Sequence, residues 1–554
     1  MFMLSERNPI RDLVLILLIM AIPVAPMVLF GYHQGHDLNI HIESWMDAES
    51  QFHQGIFCPR WATEANYGFG EPRFIFYPPV SWMLGALIGH LFLWKIAPAV
   101  YVWICLVLAA LTMRIFAADW LPPRQAIVAA LLYALNPYML LTAYTRCAYA
   151  ELLASAVFPL LLWGGLQIAR SPRVAFATTA LALAAIWLTN LPAGVIASYS
   201  LACVLIGLSI LHRSIRPMLH GGVAALTSMG LAAFSLLPTA WERKWVNIDA
   251  VLSPNNLPEA NFLFASNGMR IMYLFSRRLS PLAVFLIVAA ITALIFARKL
   301  RSQAPEAWWP LTVLCLFSSF LMFRVSSPLW RILPTLRFVQ FPWRWLFPLC
   351  AVAILMITSA VTGSKRERIL WTAVALVLAA IDAGIVYAKQ WYPNATADIA
   401  AEIQSGRGYP GLAEYTPIGS EVLSLPKDAP LVAVEGSLAA ESAQAERAVY
   451  VEVWSAERKT LSANLSHPQS VKLKLLAYPA WQASVNGRPA VLKGDPQSGQ
   501  LLLSLPAGPS LTEVRFIRTW DRTAGIAISI SAATLLTGLQ LLLYRRNRYV
   551  LRVN

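Results

Sequence analysis

Arg11-Asp12-Leu13-Val14-Leu15-Ile16-Leu17-Leu18-Ile19-Met20-Ala21-Ile22-Pro23-Val24-Ala25-Pro26-Met27-Val28-Leu29-Phe30 is the stretch that decides the fold class. From Leu13 to Phe30 it carries no charge, and crossing a hydrocarbon layer takes roughly 17–25 such residues. Arg7 and Arg11 lie on its N-terminal side and no small-residue cleavage site follows. It reads as a signal anchor that keeps the N-terminus inside and brings the chain out near Tyr32. Apolar runs of similar length recur along the chain. Hydrophobic residues make up 57% of it and charged residues 13%, against roughly 25% charged in an ordinary soluble domain. A soluble fold cannot bury that much apolar sequence. The 20 Trp, 18 Tyr and 24 Phe suit belts at headgroup depth. The net charge of +15 sits mainly in short loops between apolar runs, and no basic block with interleaved aromatics points to nucleic acid.

Those basic loops set the topology. Arg170/Arg173, Arg213/Arg216, Arg298/Lys299/Arg301, Lys365/Arg366/Arg368 and Arg545/Arg546/Arg548 flank apolar runs and are placed in the cytoplasm. Helices are then expected near 152–169, 173–190, 193–211, 218–238, 281–297, 307–323, 344–362, 367–387 and 523–544, with earlier ones near 97–117 and 125–143. The run 80–94 is left with no crossing to make. It is expected along the outer interface, anchored by Trp82 and Trp94. The sum is a polytopic α-helical membrane protein of about twelve crossings with both termini cytoplasmic. Its divisions are 1–31 (first helix), 32–96 (first outer loop with the interfacial helix), 97–387 (helical bundle), 388–521 (outer domain) and 522–554 (last helix and basic tail).

Within 388–521 the apolar pattern changes period. Val449-Tyr450-Val451-Glu452-Val453, Val471-Lys472-Leu473-Lys474-Leu475, Leu501 to Leu505 and Val514-Arg515-Phe516-Ile517 alternate as strands do. Asn486-Gly487 is a hairpin turn signal. An antiparallel β-sandwich outside the membrane is expected from about 430 onward. Tyr409, Glu414 and Tyr415 precede it and are expected nearest the membrane.

Chemistry-bearing residues gather on the outer side. The first loop reads Gly35-His36-Asp37-Leu38, then Cys58-Pro59-Arg60-Trp61, Tyr67-Gly68-Phe69-Gly70 and Phe76-Tyr77-Pro78-Pro79. On composition alone Asp37 is the cap of a helix starting at Leu38, and Glu151 is an acid favoured by the dipole at a helix start. Arg324, Arg331, Arg337 and Arg344 fall in or beside one short outer loop. They suit a phosphate or anionic headgroups. His33, His36, His41 and His53 are irregularly spaced and lack a Cys pair, so no structural zinc is expected from them. Asp382 lies close enough to a helix end to snorkel. Cys58 and Cys147 both fall outside, where a disulfide could form; two separate thiols are the expectation.

His36-Asp37, Pro59-Arg60-Trp61, Tyr67-Gly68-Phe69-Gly70, Gln340-Phe341-Pro342-Trp343-Arg344, Glu414-Tyr415-Thr416-Pro417 and Tyr478-Pro479-Ala480-Trp481 resemble bacterial membrane proteins named "6-pyruvoyl-tetrahydropterin synthase-related". Nothing matches the soluble pterin enzyme. The layout is similar to GT-C glycosyltransferases, which include oligosaccharyltransferase and aminoarabinose transferase. The resemblance implies sugar transfer from a polyprenyl-phosphate-linked donor to a glycan, lipid or protein acceptor at the outer face of a bacterial inner membrane. It implies Asp37 and Glu151 as catalytic acids and as ligands of a divalent cation, Mg or Mn, although a paired Asp-x-Asp motif is lacking. Substrate contacts would come from His36, His41, Arg60, Tyr77, Arg146, Arg337, Gln340, Arg344, Glu414 and Tyr415. A transporter or flippase for a lipid-linked glycan, or a non-catalytic glycan-assembly protein, are the alternatives.

Overall fold

Residues 9–360, 364–387, 390–435 and 449–553 are described by the computed structural model of the chain; Arg7 and Ala388 lie outside them. Among the described residues, nine helices are long and apolar enough to cross a membrane: Ile10–Phe30, Ala97–Ala118, Pro123–Arg146, Tyr149–Gln167, Leu191–Leu211, Arg270–Phe296, Pro342–Ala360, Arg368–Tyr387 and Trp520–Leu542. The chain is a multi-pass membrane protein. Two further crossings arise only if bent pairs count as single spans: Arg216–Leu231 with Ala233–Trp245 at 74°, and Pro305–Leu321 with Arg324–Ile332 at 97°. The helix expected near 173–190 is short, with Val174–Trp187 as its apolar part. These three elements separate the observed nine to eleven from the expected twelve.

The helix expected at 281–297 starts earlier, at Arg270. A proline inside a helix removes one N–H, and neighbouring groups in a bundle satisfy the freed backbone. Here the helix runs unbroken through Pro281 to Phe296.

Pro79–Leu91 has 13 residues, about 20 Å at 1.5 Å per residue and short of a hydrocarbon core about 30 Å thick. Val80 N–H donates to Leu188 O at 2.9 Å, and Tyr32 Oη donates to Lys95 O at 2.7 Å beyond the helix's other end. The expectation for Trp82 needs correcting. Its ring is fully buried, its N–H donates to Tyr77 O, and it packs 4.6 Å from Phe74. Phe74 competes with the interface for that indole and prevails.

The layer of sheets draws on chain segments far apart in sequence. Strand β1 (Tyr32–His33) pairs antiparallel with β2 (Trp391–Tyr392), which joins the first outer loop to the start of the C-terminal segment. Then come β3 (Val432–Glu435), β4 (Val449–Trp454), β5 (Arg458–Leu465), β6 (Gln469–Leu476), β7 (Trp481–Val485), β8 (Arg488–Ala490), β9 (Leu492–Gly494), β10 (Gln500–Leu505) and β11 (Gly508–Phe516). They form two antiparallel sheets, ordered β3-β6-β10-β9 and β4-β5-β11-β7-β8. Asn486 and Gly487 both take positive φ, 49° and 75°, in the turn between β7 and β8, as a two-residue hairpin with right-handed strand twist requires.

Alternate residues of β5, β6, β10 and β11 face one apolar core, and Trp61, Phe69, Ile75 and Phe76 of the first outer loop belong to that core. Trp61 lies 5.5 Å from Trp481 and 5.6 Å from Phe516. The loop is therefore shared between the bundle and the sheets. At the other edge, Glu242 accepts from Arg522 Nε at 2.7 Å and Nη2 at 2.8 Å, and from the Tyr478 hydroxyl. That cluster ties the sheets to the last span.

Candidate functional site

The site is made where the 123–146 helix loses its regular winding. Asn136 caps a new turn, its Oδ1 accepting from Tyr138 N–H at 2.9 Å and Met139 N–H at 3.2 Å. Leu141–Arg146 is then a π-helix, and Cys147 closes it with φ of 52°. Such insertions re-aim side chains, frequently at functional sites. The next helix, Tyr149–Gln167, carries Glu151 in its first turn. The break thus turns Arg146 and Glu151 toward each other.

Glu151 is clamped. Its Oε1 meets Arg146 Nη1 at 2.8 Å and the Tyr138 hydroxyl, and its Oε2 accepts from Arg344 Nε at 2.9 Å. Arg344 also donates to Val339 O at 2.8 Å and to Gln340 Oε1 at 3.4 Å. Gln340 in turn donates to Val251 O at 2.7 Å. The Arg146 guanidinium lies 4.7 Å from the Trp343 ring, and that of Arg344 4.8 Å from Phe341. Two cations thus share one buried carboxylate, a surplus of positive charge held by flat aromatic faces. Both Glu151 oxygens face cations, so a divalent ion bridging Asp37 and Glu151 would have to displace an arginine. The donor set does not fit the implied metal.

Asp37 occupies the N-cap position of Leu38–His53, yet its side chain makes no capping hydrogen bond. Its backbone does the positioning: its N–H donates to Arg146 O at 3.0 Å, and its C=O accepts from His41 N–H at 3.1 Å. The half-exposed carboxylate is within electrostatic reach of Arg146 and Arg344. Gly35 fits here because a Cβ would lie 2.4 Å from Cys147 Sγ. Cys58 is exposed and Cys147 buried, and no disulfide joins them.

The other expected residues divide into two groups. His41 is buried beside Asp37 and accepts from Tyr149 N–H at 3.1 Å. Burial pushes its imidazole down to about 4 against the pull of Asp37, which keeps it neutral. Burial, with Asp37 adding to it, raises the Tyr77 phenol. Burial also raises the Glu414 carboxyl, which has Glu71, Arg73 and Asp37 for neighbours. Tyr415 stacks on Phe76 at 5.9 Å, and His36 packs 5.2 Å from Phe275. Arg60, by contrast, lies near Glu457 in the β4–β5 turn. Arg337 and Arg324 are exposed, and Arg331 pairs with Glu259 at 3.5 Å. Of the four outer arginines, Arg344 alone enters the Glu151 cluster.

Sequence reasoning missed Tyr138 and a second buried network under the loop. Asp47 accepts from Gln51 Nε2, Thr63 Oγ1, Glu64 N–H and Tyr409 Oη at 2.8–3.0 Å. Glu71 accepts from Arg73 Nε at 2.7 Å, Asn66 Nδ2 at 3.1 Å and Leu412 N–H at 3.0 Å. Asn136-Pro137 was a readable helix break that pointed at Tyr138. Nothing local marks Asp47 or Glu71, whose partners include residues 409 and 412.

No family model and no curated protein sequence matches the chain. Solved structures do. The chain is similar to arabinofuranosyltransferase AftD from Mycobacteria, at 17% identity over 70% of this chain and 27% of that one, TM-score 0.43. It is similar to the Archaeoglobus fulgidus oligosaccharyltransferase in its apo form, at 12% identity over 70% and 57% of the two chains, TM-score 0.46. A third is the oligosaccharyltransferase AglB from Archaeoglobus fulgidus with an inhibitory peptide and a dolichol-phosphate, at 13% identity over 68% and 55%, TM-score 0.33. The chain thus spans about a quarter of the first and just over half of the others.

Proposed function

We propose that the chain is a membrane glycosyltransferase acting at the outer face of a bacterial inner membrane. The donor is a polyprenyl-phosphate-linked sugar and the acceptor a glycan, lipid or protein. One observation carries this reading. The Asp37 carboxylate is half-exposed and not spent on capping its helix, and it stands beside two buried arginines that share one counterion. In the reaction the bond between sugar C1 and the phosphate oxygen breaks, and a bond from C1 to the acceptor oxygen forms. The acceptor's proton passes to Asp37 as general base. The negative charge leaves on the phosphate, where the surplus charge of Arg146 and Arg344 stabilises it. Glu151 and Tyr138 act as positioning groups that hold the two guanidinium planes. His41, kept neutral, and Tyr77 wall the acceptor side. No step runs through a metal ion.

The experiment is turnover of lipid-linked sugars by the purified chain and by Asp37→Asn. General-base removal costs about 10²–10⁴-fold in rate, so the variant is expected to lose at least about a hundredfold at unchanged folding. An Asp37→Asn variant as active as the parent refutes the reading.

One feature favours a flippase as second reading. Asp382 lines an apolar cavity of about 320 Å³ between the first, third, seventh and eighth of the nine spans, its Oδ1 buried there rather than snorkelling to a helix end, and an acid within a span is a functional candidate by default. Lipid translocation without sugar transfer, abolished in Asp382→Asn, would select it.

A further inference from the structure

Away from the Asp37 site, three side chains from two elements converge on one point. Glu49 and His53 lie one helical turn apart on Leu38–His53, so they share a face. His90 comes from the last turn of the interfacial helix Pro79–Leu91. His53 Nε2 lies 2.6 Å and His90 Nδ1 3.2 Å from the same Glu49 oxygen. The two imidazoles approach to 5.2 Å between ring centroids. All three ligand atoms fall within 4.8 Å of one another.

The geometry points to a zinc-class divalent metal site formed by Glu49, His53 and His90, clamping the interfacial helix onto the helix that Asp37 begins. Two imidazole nitrogens and one carboxylate oxygen form a donor set for zinc and its transition-metal neighbours, whereas magnesium and calcium take oxygen. Donors about 2.0–2.1 Å from a tetrahedral ion stand about 3.3 Å apart. The His90 contact already has that spacing, and the His53 contact has to open by about 0.7 Å. A fourth position stays open to water or another ligand, because His53 and His90 face solvent, 62% and 46% exposed.

The helices are held in register by contacts that do not involve the metal. A Cβ on Gly85 would lie 2.1 Å from Trp45 Cδ2, so the interfacial helix seats on that indole through a bare backbone. Trp45 is one turn before Glu49, and Gly85 lies five residues before His90. The ligand positions are thus preset by an apolar contact, which lowers the ordering cost of binding.

The test is titration of the metal-stripped full chain in detergent with Zn²⁺ alone, by calorimetry, alongside His53→Gln and His90→Gln. Both imidazoles are largely solvent-exposed, and monodisperse elution of each variant checks folding. One saturable equivalent is expected in the parent. Each variant should bind on the order of tenfold or more weakly, since even outer-shell partners of metal ligands cost 10–100-fold. The same titration should raise the thermal midpoint of the parent and not of the variants. Absence of saturable binding, or parent affinity retained by either single variant, overturns the assignment.

Discussion

Replacing Glu151 by Gln tests the clamp. The change keeps the side chain's volume and removes one negative charge from between two buried guanidinium groups. Arg146 and Arg344 are 2% and 8% exposed, so neither can turn to water without rebuilding the outer end of its helix. Losing one partner of a buried ion pair costs about 3–5 kcal/mol, mostly the penalty of an uncompensated charge. Here one carboxylate serves two cations, so the upper part of that range is expected. The assay is equilibrium unfolding in detergent of four chains: parent, Glu151→Gln, Arg344→Met and the double variant. If the arginines are held by this carboxylate, the double variant is less destabilised than the sum of the singles. The coupling should exceed about 1 kcal/mol, within the range for residues in one charged network. A Glu151→Gln chain within about 0.5 kcal/mol of the parent, the scatter of an ordinary surface change, would falsify the clamp and return Glu151 to the list of acids available for chemistry.

Asp37→Asn is the contrasting case: with no capping bond to lose, it is expected to change unfolding free energy by under about 1 kcal/mol, measured in the same detergent scans. Glu43 gives a pH signature. Burial, opposed by Arg73, pushes its carboxyl from 4.5 up to about 7, so the folded chain holds that proton more tightly than the unfolded one. Its contribution is neutral below about pH 4.5, and the penalty grows as pH rises to 7, reaching about 3 kcal/mol. Glu43→Gln removes the decline. Unfolding of parent and variant from about pH 4 to about pH 8 checks it, and parallel curves would count against the buried placement. Gly70→Ala forces a Cβ to 1.9 Å from the Trp61 indole nitrogen at a φ of +76°. A loss of more than about 1 kcal/mol is expected from strain and overpacking together, together with faster proteolysis of the first outer loop.

Much of this architecture was open to reading along the chain, because its signals are local. Hydropathy marks the spans, Asn486-Gly487 marks the β7–β8 turn, and the short run after Pro79 shows an element that cannot cross. The start of Arg270–Phe296 was misjudged, beside the two bent pairs and the short helix near 173–190: Pro281 is a breaker by itself, and only the bundle makes it tolerable. The sequence offered the residue types of the candidate site, and its pairings were not legible. Glu151 and Arg344 are 193 residues apart, and no periodicity links them. Within the first outer loop only the run 80–94 was read as interfacial, from Trp82 and Trp94. Trp61, Phe69 and Phe76 of that loop instead complete the core of a sheet domain encoded far downstream.

The hydrogen bond from Tyr409 to Asp47 spans 362 residues, and this separation has a cost in time. At a synthesis rate of about 5–20 residues per second, Asp47 is made about 20–70 seconds before its tyrosine. During that interval the loop that carries it has neither Tyr409 nor the sheets that later take up Trp61. A chain that stops before residue 409 therefore leaves Asp47 without one of its donors and the Trp61 indole uncovered. Closing this part of the fold is therefore a late step, possible only once Tyr409 and the sheets have been made.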